Sequence, residues 1–210
     1  MKPVWTISFA VLITIIFLIN SARAMLMDRI LAVVNRQPVT LSDLHRYEAF
    51  LALSDGKKNW EPPPSPSPTM LHQLIDQKLL LEEAEKFEVS PSKTTDLLEA
   101  QDRLAKRFTN PEEFQNTLLR WGLDRESLHH EIEDHLMVER FIDQRITFFV
   151  IIPTAEIQKY YEAHREEYRE KRLEEALAHI TRQLTDLKAK EKLESYLKKL
   201  REKASIQINS

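Results

Sequence analysis

The chain has 210 residues, 30% charged and 42% hydrophobic, which is enough for one domain with a core. Two glycines exclude a Gly-rich phosphate loop and weigh against a turn-rich sandwich or barrel. With no cysteine there is no disulfide, thiolate nucleophile or cysteine-bound metal, and a net charge of −3 offers no general attraction to nucleic acid.

Residues 1–24, MKPVWTISFAVLITIIFLINSARA, carry Lys2, an apolar run from Val4 to Ile19 and the triplet Ala22-Arg23-Ala24. A positive start, a greasy middle and small residues three and one before a cut site make a secretory signal, cleaved after Ala24. An uncleaved anchor is the competing reading, because the run is a few residues short of the ~20 that span a bilayer. Loss of Lys2 and Arg23 would take the charge from −3 to −5. The product is then an exported protein of the periplasm with no stable membrane insertion.

DRILAVVNRQPVTLSDL, residues 28–44, reads as strand, turn, strand and helix start. Thr40 and Asp43 suit a capping box, and Leu44, Tyr47 and Leu51 share a helical face. Ser54 to Thr69 holds five prolines and forms an extended connector. Ser67-Pro68 opens a second helix with Leu71, Leu74, Ile75 and Leu79 as its buried stripe, ending near Val89. Ser90-Pro91 predicts the restart of a third helix carrying Leu97, Leu98 and Leu104. Asn110-Pro111 opens a fourth, with Phe114, Leu118 and Trp121 inward and Gly122 as its stop. Asp124 caps a fifth, with Leu128, Ile132, Leu136 and Ile142 buried, running to about Ile146.

Thr147 to Pro153, TFFVIIP, reads as extended chain. Thr154 is the expected cap of a sixth helix, with Ile157, Tyr160, Tyr161 and Tyr168 inward. Leu173, Leu177, Ile180, Leu184 and Leu187 then step by four and three, a seam that meets another helix. It breaks at Glu191, before three heptads accumulate, so packing on its own domain is favoured over a coiled-coil dimer. Ser205 to Ile208 alternates polar and apolar residues, a strand with no neighbour in sequence. A two-stranded ribbon is marginal alone. Joining the last strand to the opening ribbon gives both a partner. The fold class is therefore mainly α, a helical domain with a small sheet built from both ends of the chain.

Sites for chemistry are scarce. HHEIEDH, residues 129–135, invites comparison with a zinc-binding HExxH, but His130 and His135 lie about 140° apart around a helix. Two-ligand pairs such as His129 with Glu133 fall short of a zinc site, so the stretch reads as solvated helix surface. No Ser/His/Asp elbow is present. No catalytic, cofactor-binding or metal residue is assigned, and no cofactor is expected. Trp121 is expected in the core and Trp60 exposed.

The order and spacing of DRILAVVNRQPVTLSDL, LHQLIDQKLLLEEAEKFEVS, the FTNPEEF to DQRI stretch and EIQKYYEAHREEY resemble the N-terminal chaperone domain of the SurA/PrsA group of periplasmic folding factors. ITRQLTDLKAKEKLESYLKKLREKASIQI resembles that group's C-terminal helix and strand. The resemblance divides the chain into a signal at 1–24, a helical domain at 25–168 and a segment at 169–210 that completes the same domain. It departs from the best-known members in one respect. They insert parvulin prolyl-isomerase domains before the last helix, whereas here only Arg169 to Arg172 separate Tyr168 from Leu173. Four residues cannot hold a domain.

The departure at 169–172 argues against an enzyme, and the acidic charge against a nucleic-acid partner. The resemblance implies an ATP-independent holdase that binds unfolded polypeptide, with outer-membrane proteins as clients. It would act as a monomer or weak dimer. Candidate client contacts are Phe148, Phe149, Tyr161 and Leu184. An envelope scaffold dimerising through the Leu173–Leu187 seam and a residual prolyl isomerase are the alternatives.

Overall fold

The computed structural model describes residues 28–90, 93–169 and 172–209. The expected signal segment and its cut site lie outside the described residues. The order is β1 (Ile30–Val34), β2 (Gln37–Thr40), α1 (Leu41–Ser54), α2 (Pro68–Lys86), α3 (Thr94–Ala105), α4 (Pro111–Arg120) and α5 (Arg125–Arg145). A 3-10 turn (Thr147–Phe149), α6 (Thr154–Ala163), α7 (Leu173–Lys203) and β3 (Ile206–Ile208) follow. The fold is mainly helical with one small antiparallel sheet, as the sequence predicts.

The sheet runs in the order β2-β1-β3, so the first and last described strands meet. Asn35 and Arg36 make the two-residue turn of the ribbon at φ of 48° and 74°, the left-handed pair that matches strand twist. Ala32, Val33 and Val34 pair with Ile208, Gln207 and Ile206. Asn35 also fastens the returning chain. Its N–H donates to Ser205 O (2.9 Å), and its Oδ1 accepts the Ser205 N–H (3.0 Å). Its Nδ2 donates to Glu82 Oε2 (2.6 Å) on α2. One side chain thus ties ribbon, final strand and second helix.

Leu31, Ala32, Val34 and Val39 of the ribbon pack with Leu44 of α1 and Leu71, Leu74, Ile75 and Leu79 of α2. A second core joins Phe50 and Leu53 of α1 to Leu104 of α3, Phe114 and Leu118 of α4, and Leu128 and Ile132 of α5. Trp121 is buried there as expected. Trp60 is only half-buried and meets Trp121 edge-on, with ring centroids 5.8 Å apart, so it is not free in solvent. A third cluster sets Leu80 and Ala84 of α2 and Phe141 of α5 against Leu193, Tyr196 and Leu197 of α7.

Four helix starts follow their sequence signals. Thr40 and Asp43 form a reciprocal box, and Ser67, Asn110 and Asp124 each accept a backbone N–H of the first turn. Gly122, at φ of 72°, closes α4 with Leu123 N–H on Leu118 O (2.9 Å), a Schellman ending.

Three expectations are corrected. The third helix begins at Thr94, later than expected, and Asp96 accepts the Lys93 N–H (3.2 Å) at its start, while Pro91 of the expected Ser90-Pro91 start lies outside the described residues; on that helix Ala100 is buried while Leu98 stays exposed. TFFVIIP is not extended throughout: Val150 N–H returns to Thr147 O (2.9 Å), so the run opens as a tight turn before extending. Among the described residues it pairs with no strand, and a turn satisfies its backbone locally. Thr154 lies inside α6, whose preceding residue is Pro153 and which has no side-chain cap.

Candidate functional site

Among the described residues, the turn after α5 carries the largest aromatic exposure. Phe148 is 79% exposed and Phe149 57%, their rings edge-to-face with centroids 5.3 Å apart. Ile151 follows at 82%. Sequence reasoning missed Ile151 as a surface residue. Five consecutive apolar residues, Phe148 to Ile152, hold the signal: no single backbone path points them all into one core. Lys192 of α7 donates from Nζ to Phe149 O (2.7 Å), which sets the middle of the long helix beside the turn. Leu187, assigned by spacing to the seam, is 54% exposed on that helix.

Beyond the turn, α6 and the first half of α7 form a hairpin with its own small core of Tyr168, Ala176, Ile180 and Leu184, flanked by Ile157, Tyr160 and Tyr161. Tyr168 hydroxyl donates to Gln183 Oε1 (3.1 Å) and lies 3.2 Å from His179 Nδ1. Lys188 pairs with Glu156 across the hairpin. The four predicted contacts therefore separate. Phe148 and Phe149 are at the surface, Tyr161 is half-buried with its ring 6.1 Å from Tyr168, and Leu184 is 6% exposed in the hairpin core. Leu184 is corrected to a core residue of this hairpin.

The 129–135 stretch is also not all solvated surface. His129 Nε2 meets Gln101 Oε1 at 2.7 Å, His130 faces Asp134 at 3.8 Å and His135 faces Glu139 at 3.5 Å. Glu131 instead turns inward and is 7% exposed. Burial, reinforced by the Asp134 charge and opposed by Arg46 and Lys78, pushes its carboxyl up to about 7. Among the described residues no three His, Asp or Glu converge as a metal site. None of the described helices is long and apolar enough to cross a membrane.

A cleft of about 280 Å³ lies between α1, α3 and α5, with Phe50, Leu104 and Leu136 as its floor and Arg103, Arg107 and Glu139 at its mouth. No family model matches the chain, and no curated protein matches it.

Proposed function

We propose that this chain is an exported, ATP-independent holdase of the SurA/PrsA kind that binds unfolded polypeptide, with outer-membrane proteins in transit as clients and no prolyl isomerase activity. The exposed patch of Phe148, Phe149 and Ile151, with Leu187 on the nearby long helix, carries the reading. Contiguous apolar surface on a charged protein marks an interaction site. Unfolded barrel segments present alternating apolar and aromatic residues, which such a patch covers without nucleotide. Broad specificity goes with affinity of roughly micromolar, or about −8 kcal/mol.

The scaffold reading relies on the Leu173–Leu187 seam. Burial of Ile180 and Leu184 within their own hairpin leaves that seam little to offer a partner helix, which favours the holdase. Four residues separate Tyr168 from Leu173, which leaves no room for a parvulin domain at the place where the resembled group inserts one.

The test is light scattering from a denatured outer-membrane barrel diluted into buffer without nucleotide. Near-stoichiometric protein is expected to suppress aggregation, while leaving a proline-peptide isomerisation assay at its uncatalysed rate. Phe148→Ser with Phe149→Ser and Ile151→Ser is expected to weaken suppression several-fold with an unchanged unfolding midpoint, because these side chains bury little. Full suppression by that triple variant would remove the patch from the reading.

A further inference from the structure

The sheet treats its two edges differently. On β2, Pro38 has no N–H to offer, and the Thr40 N–H is taken by Asp43 Oδ2 (2.9 Å) in the capping box. That edge is closed to a further strand. On β3 no such device is present. Its register against β1 is regular, and Ser205 to Asn209 carries neither proline nor charge.

The direction of the β3 backbone follows from its bonds. Asn35 N–H donates to Ser205 O (2.9 Å) and Asn209 N–H to Leu31 O (2.8 Å), with Gln207 opposite Val33 between them. Along an antiparallel strand, residues that face the partner alternate with residues that face away. Ser205, Gln207 and Asn209 therefore turn their groups to β1, whereas the N–H and C=O of Ile206 and Ile208 point outward. β3 is last in the sheet order, and among the described residues nothing pairs with those outward groups. The Ile206 and Ile208 side chains lie on the face of Val34 and Ala32, which are buried. Ile206 packs against that core, while Ile208 is 49% exposed, so the buried face of the sheet runs out to an open margin.

Outward donors and acceptors at strand spacing fit one chemistry, another extended main chain. A second folded copy would meet this edge over three residues, far short of the ~1,200 Å² of a specific interface. The edge suits a flexible segment instead.

We infer that the outer edge of β3 takes up an extended, antiparallel segment of unfolded polypeptide as a fourth strand. The inference rests on the holdase reading for the segment's being part of a client. It adds a main-chain grip to the side-chain patch of that reading, and with it a rule: clients are held best where apolar residues alternate. Residues placed opposite Ile206 and Ile208 share their face, so incoming apolar side chains extend the buried side of the sheet. The N–H groups of those same residues point at β3.

The experiment titrates a short labelled peptide that alternates valine and threonine, with lysines at its ends, into the purified protein by fluorescence anisotropy. N-methylation of the valines removes the donors that face β3 and is expected to weaken binding by about tenfold or more, whereas N-methylation of the threonines changes it by less than about threefold. In the unaltered protein, saturating peptide is expected to slow amide exchange at Ile206 and Ile208 and not at Gln207, which already faces Val33. Ile208→Pro removes an outward donor that β1 does not use, so it is expected to weaken the unmethylated peptide several-fold. No binding, equal binding of the two methylated peptides, full affinity in Ile208→Pro, or unchanged exchange at Ile206 and Ile208 would each overturn the edge as a receptor. Protection of those two amides that rises with protein concentration alone would overturn it in favour of a second copy. The barrel-aggregation assay stands apart from these outcomes and decides the holdase reading by itself.

Discussion

Glu131 shows what the environment does to a single residue. It lies on α5 facing Asp43 and Arg46 of α1 and Lys78 of α2, with Asp134 one turn along its own helix. An unfolded chain ionises this carboxyl near 4.5, whereas the folded one holds its proton to about 7. Below 4.5 both states are protonated and the residue costs nothing. As pH rises from 4.5 towards 7, the unfolded chain gains by ionising and the folded one does not, so stability falls across that window. The size is on the order of 3 kcal/mol. Glu131→Gln is therefore expected to be more stable than the parent at pH 8, by up to about 3 kcal/mol, and no more stable at pH 4. Urea unfolding at the two pH values checks it, and an equal gain at both would assign the effect to packing. Asp134, also raised by burial, leaves some slope in the variant. The sequence could not give this residue away. Glu131 sits in a run of charges that reads as solvated, and only the closeness of α1 and α2 turns it inward.

At the scale of elements, the signals that could be read were local ones. Thr40 with Asp43, Ser67-Pro68, Asn110-Pro111, Asp124 and Gly122 each act within four residues of themselves, so their meaning does not depend on the rest of the fold. The clasp was legible for another reason: an alternating strand without a neighbour in sequence has to find one. Misreadings came where a distant surface chooses. The leucine spacing of α7 suggested Leu177 and Leu187, but α6 takes Ala176, Ile180 and Leu184, because a small residue lets the hairpin close. Asn35 was missed altogether, as nothing in a turn residue foretells Ser205 and Glu82. Of the candidate contacts, Phe148 and Phe149 lie at the surface and Leu184 is buried, since burial is decided by the neighbouring helix.

The clasp gives a direct test. Ending the chain at Ala204 removes the β3 ladder, the Asn35–Ser205 bonds and the Asn209 N–H to Leu31 O bond, and uncovers the half-buried Ile206 contact. A loss of about 2–4 kcal/mol is expected from those hydrogen bonds and that apolar burial. Arg201, which grips both oxygens of Asp76, keeps the end of α7 docked in the shortened chain. An unchanged urea midpoint would mean that the third strand holds nothing.

For the whole molecule, the long helix α7 is the member that two bodies share. Its second half belongs to the main body: Leu193, Tyr196, Leu197 and Leu200 pack on α2 and α5, and Tyr196 hydroxyl donates to Glu83 Oε2 at 2.6 Å. Burial and the Glu83 carboxylate push that phenol up to about 12, so it stays a donor at any physiological pH. The first half belongs to the hairpin with α6, whose core is small and separate from the other three clusters. Lys192 on Phe149 O lies where the two halves meet, beside the exposed aromatic turn. Local stability follows buried contacts, so a small satellite core opens more easily than the body it is attached to. Backbone amides from Ala176 to Leu184 are expected to exchange with solvent through an opening that costs less than global unfolding. Those from Leu193 to Leu200 should exchange only with the body. Native-state hydrogen exchange over a urea series separates the two, and equal protection along all of α7 would make the helix a single rigid strut. On the proposed holdase function, a hairpin that loosens at the patch would let one apolar surface fit many unfolded segments, since the turn and Leu187 could change their spacing while the clasped body stays intact.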